Sequence, residues 1–319
     1  MPERCAVLDD YQGVSLRYAD WSALQGQVDI TLFERHIPGE EELAQALEPY
    51  SIIVAMRERT PFPASLLERL PRLKLLVTTG MRNASIDLES ARKLGITVSG
   101  TGGAGAGPAE LTWALILGLS RQLELEQRNL RENGPWQSVI GRDLSGRRLG
   151  LLGLGKIGLQ AARIGQAFGM DVSAWSQNLT EEQAGQAGVR RVSKEELLRE
   201  SDIVSIHLVL SERTRGLLGA AELALLKPEA YLINTSRAAI VDQEALIDAL
   251  RGGRIAGAGL DVFDTEPLPA DHPYRSLPNV LATPHIGYVT EESYRVFYTH
   301  AVENIEAYLS GRSLRVLNE

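Results

Sequence analysis

Cysteine is almost absent: Cys5 stands alone in 319 residues, which rules out an intrachain disulfide and a thiolate metal cluster. The five histidines, at 36, 207, 272, 285 and 300, include no close pair at metal-ligand spacing, so no metal site is expected. Positive charge is in short supply too. With 33 Lys+Arg against 41 Asp+Glu the net charge is −8, which provides no field to collect DNA, RNA or an acidic membrane. No apolar run approaches the ~18 residues of a membrane span. The start, MPERCAVLDDYQG, places Glu3, Asp9 and Asp10 where a secretory signal needs an unbroken apolar stretch. A cytoplasmic protein without nucleic-acid or membrane partners is expected. Internal repeats and low-complexity tails are also missing.

What is present reads as an ordinary globular protein: 44% hydrophobic and 23% charged residues, with length for two domains at ~150 residues each. From residue 4 to 98, short apolar runs (RCAVLD, VDITLFE, SIIVAM, LKLLVTT, GITV) alternate with amphipathic segments (EEELAQALE, PASLLERL, DLESARKLG). That is a βαβα pattern and predicts a parallel sheet with helices on its faces. SGTGGAGAG (99–107) then reads as a linker or hinge. Pro108 and Glu110 suit the start of a helix over 108–132, expected to be the longest and to stop near Gly134-Pro135. Its apolar residues from Leu111 to Leu119 run nearly all round, which predicts cover from a domain or subunit interface. From Arg147 a second α/β unit follows, with strands expected at RRLGLLG, DVSAWS, DIVSIHL, YLINTS, AGAGLDVF and NVLATP. The closing TEESYRVFYTHAVENIEAYLSG reads as one helix, placed most economically on the first domain. The fold expected is α/β, with two doubly wound parallel-sheet domains, 1–101 with 288–319 and 102–287, and a cleft between them.

GLGKIG, Gly153 to Gly158, fits G-x-G-x-x-G directly after an apolar strand and before a helical pattern. Gly153 permits the tight turn, Gly155 the close approach of a pyrophosphate, and Gly158 close packing of helix on strand. The amides at Lys156 and Ile157 open the helix that receives the phosphate charge. Three chance glycines in a turn are the bland alternative; strand, loop and helix in the right order favour nucleotide binding. An acid for the ribose 2′-hydroxyl is expected about twenty residues on, but DVSAWSQN supplies only Ser176, Gln177 and Asn178. NAD(H) and NADP(H) both stay open, with a lean to NAD(H) because no adjacent Arg is present to pair a 2′-phosphate.

Polar residues follow three consecutive expected strands: Arg237 in NTSRAAIVD, Asp261 and Glu266 in GLDVFDTEPL, and His285 in ATPHIGY. Doubly wound sheets bind ligands at such strand ends. Singly, a surface cation, a loop acid, a cap and a half-buried histidine would explain them equally well. Together with TTGMRNASID, GLGKIG and LATPHIG, in this order, they make the chain resemble the D-isomer-specific 2-hydroxyacid dehydrogenase family over nearly its whole length. Glyoxylate/hydroxypyruvate reductases and phosphoglycerate dehydrogenases are members. The resemblance implies a flavodoxin-like substrate domain, a Rossmann dinucleotide-binding domain, and hydride transfer between NAD(P)(H) and a D-2-hydroxy acid/2-oxo acid pair. It implies Arg237, Glu266 and His285 as the catalytic three, with Asp261 a supporting carboxylate. Thr235, Asp261, Gly287 and His207 fall on the cofactor side, although a core histidine is an equal reading of His207.

The chemistry calls for those residue types. When a 2-oxo acid is reduced, hydride reaches the carbonyl carbon, the oxygen gains negative charge, and a proton must follow. His285 is the implied acid, and a carboxylate beside an imidazole stabilises its cationic form and decides which ring nitrogen faces the substrate. Arg237, fork-shaped and always charged, suits the substrate carboxylate and carbonyl. The family's substrate-carboxylate loop here reads TTGMRN, so Gly80, Met81 and Arg82 are expected at the substrate, with Arg57, Arg59 and Tyr288 as further candidates. Surface solvation of Arg57, Arg59 and Arg82 is an equal alternative. If two of these cations point inward, a phosphorylated or dicarboxylic 2-hydroxy acid fits better than glyoxylate. Ala238-Ala239 replace a usual glycine pair and Val209 a frequent proline. The family also implies a homodimer, here through the region of helix 108–132. The rival readings are a phosphoglycerate dehydrogenase and an NAD(H)-binding corepressor-like assembly module without turnover.

Overall fold

The computed structural model describes residues 2–319. It divides into two compact units, one of residues up to Ala104 together with Thr290–Glu319, the other Gly105–Val289. The first unit contains β1 (Glu3–Val7), β2 (Val28–Leu32), β3 (Ile52–Ala55), β4 (Leu75–Thr78) and β5 (Thr97–Gly100), all parallel, in the order β2-β1-β3-β4-β5. That is the flavodoxin-like winding. Every residue of β3 and β4 is buried, as a strand covered by helices on both faces requires. The helix Glu291–Leu309 belongs to this unit and buries Tyr294, Phe297, Tyr298 and Ile305. Its start is capped by Thr290, whose hydroxyl accepts from the Ser293 N–H at 3.2 Å.

The second unit contains β6 (Arg148–Leu152), β7 (Asp171–Trp175), β8 (Arg190–Arg191), β9 (Ile203–Ile206), β10 (Tyr231–Asn234), β11 (Gly257–Leu260) and β12 (Val280–Ala282), again parallel. The order β12-β11-β10-β9-β6-β7-β8 is the Rossmann winding with one further strand beyond β11. β8 has no apolar residue to announce it; pairing with β7, Ala174 against Arg191, defines it.

Two expectations need correction. The stretch 108–132 is two helices, Gly107–Arg121 and Leu123–Arg131, and Glu291–Leu309 is longer than either. Gln122 adopts a left-handed conformation (φ 49°) and its N–H closes on Gly118 and Leu119 carbonyls, ending the first helix. The second expectation concerns cover for the first helix. Its apolar residues pack inside their own unit, Trp113, Leu115 and Ile116 joining the core of Leu149, Leu151, Val172 and Ile233, so no interface is needed to cover it. The second helix buries none of its residues. Among the described residues no helix is long and apolar enough to cross a membrane.

Candidate functional site

The glycine loop lies between the carboxyl ends of β6 and β9, where the winding of the second sheet reverses. Gly153 has φ +105°, and a Cβ there would stand 2.6 Å from the His207 carbonyl oxygen. The two strand ends thus press together at a point that tolerates only glycine. A Cβ on Gly158 would collide with the Gly153 carbonyl, so that glycine lets the helix Lys156–Ala167 sit on its strand. Gly155 differs: nothing lies within 4 Å of its Cβ direction, and as N-cap it makes no side-chain capping bond. The helix therefore begins at open space with first-turn amides that have no partner within the helix. A cradle of this form fits a pyrophosphate, and the Lys156 side chain lies beside it against Gly105.

At the end of β7 the chain turns tightly, Leu179 N–H donating to the Ser176 carbonyl at 3.1 Å. Gln177 and Asn178 are exposed and Ser176 half-buried; no carboxylate stands among them. His207 follows β9, its N–H donating to the Leu152 carbonyl at 2.7 Å and its Nε2 lying 3.0 Å from Ser205 Oγ. Burial pushes the His207 imidazole down to about 4, so the ring is neutral at neutral pH. Thr235, after β10, lies 2.8 Å from the buried Thr112 hydroxyl, which itself donates to the Pro108 carbonyl. The Thr235 hydrogen is therefore turned inward and its lone pairs are left for other donors.

Arg237, Glu266 and His285 follow β10, β11 and β12, three adjacent parallel strands. Glu266 and His285 meet: Oε2 stands 2.6 Å from Nδ1, while Oε1 accepts the Phe263 N–H at 2.9 Å. A carboxylate can only accept, so Nδ1 carries the hydrogen and Nε2 is the nitrogen left to exchange a proton. Both groups are half-buried, with side-chain exposures of 27% for Glu266 and 18% for His285. The Tyr288 ring stands edge-on to the imidazole at 5.4 Å.

Asp261 is buried under this turn and holds it. Its Oδ1 accepts from Thr283 Oγ1 (2.7 Å) and the Ile286 N–H (2.8 Å), and its Oδ2 from the Gly287 N–H (2.8 Å). Burial pushes its carboxyl above the usual range, although these bonds and the nearby His285 pull the other way. The carboxylate and the Gly287 amide, both expected on the cofactor side, are thus engaged with one another. Asp261 therefore pins the chain on both sides of His285, which sits at φ +52°.

Sequence reasoning missed Asn234. Buried at the end of β10, it donates from Nδ2 to the Arg237 carbonyl and accepts the Ser236 N–H on Oδ1, each at 3.0 Å. Asn two or three residues before a functional side chain is a turn-shaping signal that could have found it. Arg237 itself is half-buried, with Nη1 donating to the Ser236 carbonyl at 2.8 Å.

In the first unit, β3 and β4 deliver the remaining candidates. Arg57 is held at φ +52°, its N–H donating to Thr79 Oγ1 (2.9 Å) and its carbonyl accepting from Asn83 Nδ2 (2.7 Å). Its guanidinium lies on Gly80, where a Cβ would collide with it. The Gly80 N–H is given to Thr101 Oγ1 at 2.8 Å, so what Gly80 contributes is space and a positive φ. Met81 and Arg82 are exposed. Arg59 braces the loop after β1, donating to the Asp9 carbonyl at 2.7 Å with its guanidinium 4.4 Å from the Tyr11 ring centroid. Asn83, which ties the two strand-end loops together, was also missed.

The NAD binding domain of the D-isomer specific 2-hydroxyacid dehydrogenases matches residues 113–287. A glyoxylate reductase from Aeropyrum pernix is 38% identical over 295 residues, covering 89% of this chain and 88% of that protein. A D-3-phosphoglycerate dehydrogenase from Methanocaldococcus jannaschii is 34% identical, covering 85% of this chain but 52% of that longer protein. The solved structure of a phosphoglycerate oxidoreductase from Vibrio cholerae superposes with a TM-score of 0.92 at 37% identity, covering 98% of this chain and 100% of that one. A match over more than half its length and relatives at this identity leave one conclusion: the chain belongs to the D-isomer-specific 2-hydroxyacid dehydrogenase family of NAD-dependent oxidoreductases.

Proposed function

We propose that His285, Glu266 and Arg237 are the catalytic residues of this dehydrogenase, acting on a D-2-hydroxy acid and its 2-oxo acid. The first unit is then the substrate domain and the second the dinucleotide-binding domain. The observation that carries the reading is the 2.6 Å pair of His285 Nδ1 and Glu266 Oε2, with the other carboxylate oxygen anchored on a backbone amide. Nicotinamide, when bound, supplies or takes the hydride. His285 gives the carbonyl oxygen its proton from Nε2 and takes it back in the reverse direction, while Glu266 fixes the ring and balances its charge. Arg237 orients the substrate carboxylate and draws electron density from the carbonyl. His285→Ala should lower kcat about 10²- to 10⁴-fold, and Arg237→Ala should mainly raise the KM of the 2-oxo acid. Native turnover by His285→Ala at neutral pH would overturn the assignment.

NAD(H) is the proposed cofactor, supported by the neutral turn at Ser176, Gln177 and Asn178; the KM values of NADH and NADPH test it, and a strong preference for NADPH would refute it. A substrate with a second anionic group is supported by Arg57, whose backbone and guanidinium are both held in place, with Arg82 in the TTGMRN turn. Arg57→Ala and Arg82→Ala should then reduce kcat/KM on a phosphorylated or dicarboxylic 2-oxo acid more than on glyoxylate; equal losses on both would count against it. We also infer a homodimer through the segment after Gln122, where Leu123 (56%), Leu130 (66%), Trp136 (81%) and Ile140 (98%) are exposed. Sedimentation at micromolar concentration should show a dimer that Trp136→Glu dissociates; a native monomer would refute it.

A further inference from the structure

We infer that Arg191 and Glu181 form a charge gate that sets the choice between a 2′-hydroxyl and a 2′-phosphate on the adenosine ribose, which deepens the cofactor reading above and rests on it. The acid that would select the hydroxyl is missing from Ser176, Gln177 and Asn178, so discrimination has to come from a neighbouring element. That element is β8, the short strand paired in register with β7. From it, Arg191 Nε donates to the Leu179 carbonyl at 2.7 Å. Leu179 in turn closes the tight turn on Ser176. The guanidinium is thus packed on the turn that receives the ribose in this winding.

Glu181 opposes its charge, Oε1 standing 3.0 Å from Arg191 Nη1. Arg190, the other cation of β8, is paired elsewhere, with Glu196 at 2.6 Å and Glu200 at 3.3 Å. With Glu181 in place the turn carries no net charge: a hydroxyl is accepted, and a phosphate dianion meets a carboxylate beside the arginine. Without Glu181, the Arg191 fork has a free edge for the phosphate. Glu181 is not needed to start its helix, because Thr180 and Gln183 form the capping box, so it can be exchanged without disturbing the fold.

The test uses the full chain with two probes, adenosine 5′-monophosphate and adenosine 2′,5′-bisphosphate, their dissociation constants read by calorimetry. Glu181→Gln should tighten the bisphosphate about 1.5-fold to fivefold, the range of an exposed ion pair, and leave the monophosphate unchanged. The gain should shrink as salt is raised and vanish in the double variant Glu181→Gln with Arg191→Gln. An unchanged ratio of the two constants in Glu181→Gln, or a gain that survives removal of Arg191, would overturn the gate. If neither nucleotide nor NADH binds the native protein, it is the cofactor reading that falls, a result separable from failure of the gate alone.

Discussion

Glu266→Gln changes the charge at the centre of the site while almost preserving its shape. Gln keeps an oxygen for the Phe263 N–H, now 2.9 Å from Oε1. It then presents an amide NH₂ where Oε2 lies 2.6 Å from His285 Nδ1. An NH₂ group donates, so Nδ1 must become the acceptor and the ring hydrogen moves to Nε2. An imidazolium at this position would face a donor instead of a carboxylate. Turning the amide over restores an acceptor for His285 but leaves the Phe263 N–H facing NH₂, so neither orientation serves both partners.

A hydrogen bond to a charged group is worth roughly 1.5–3 kcal/mol, and each 1.4 kcal/mol is about a factor of ten. kcat for reduction of the 2-oxo acid should therefore fall about 10- to 150-fold. Initial rates of NADH oxidation at saturating substrate measure this, alongside the KM of NADH and the thermal midpoint, both of which should stay near native because Glu266 touches neither the glycine loop nor the core. A native kcat in Glu266→Gln would refute the claim that the carboxylate holds and charges the proton-transferring ring. A loss confined to the KM of NADH would refute it as well, by moving the residue to the cofactor.

Other consequences are as specific. Gly153→Ala should lose about 2 kcal/mol or more of stability, because its φ of +105° and the His207 carbonyl leave no place for a Cβ. Gly155→Ala should melt like the native protein yet bind NADH more weakly, since its Cβ direction is open; equal thermal losses in both variants would refute the division of roles. Asp261→Asn leaves one oxygen for three donors and sets an NH₂ against a buried N–H. It should cost about 1–3 kcal/mol and lower kcat, and a native kcat would deny Asp261 its role in positioning His285. His207 is held at about 4 by burial against ~6.5 in an unfolded chain. The unfolded state binds more protons between those values, so His207 removes stability as pH falls from about 6.5 to about 4, by at most about 3 kcal/mol. His207→Gln should flatten that part of the acid melting curve; an unchanged slope would refute it.

The strands were legible where burial on both faces forces apolar runs, as in Ile52–Ala55 and Leu75–Thr78. Arg190–Arg191 escaped because an edge strand held by pairing alone needs no apolar residue. The break at Gln122 escaped for a different reason. Helical periodicity continues across it, and only the packing of Gly118 against Leu281 and Gly259 against Leu115 shows which segment is buried. Arg237, Glu266 and His285 were readable as strand-end residues, and the order β12-β11-β10 is what sets them side by side. The partnership of Glu266 with His285 was legible through family resemblance; no spacing along the chain encodes it.

The polar side chains that hold these turns were least legible, because their action depends on backbone shape. His285 and Arg57 both occupy left-handed backbone at strand ends, φ +52° each, which costs a non-glycine residue about 1–2 kcal/mol. Each is offset by hydrogen bonds from a neighbouring loop: Asp261 takes the Ile286 and Gly287 amides beside His285, and Thr79 with Asn83 takes both backbone groups of Arg57. Strain of that kind persists only where the surroundings over-determine it. The same backbone arrangement at the proposed proton-transfer residue and at Arg57 is therefore an argument that Arg57 is held for its guanidinium. Engagement of the guanidinium does not separate it from Arg59: Arg57 Nε stands 3.6 Å from the Glu58 carboxylate, as Arg59 braces Asp9 and Tyr11. The left-handed backbone held from both sides is what distinguishes Arg57.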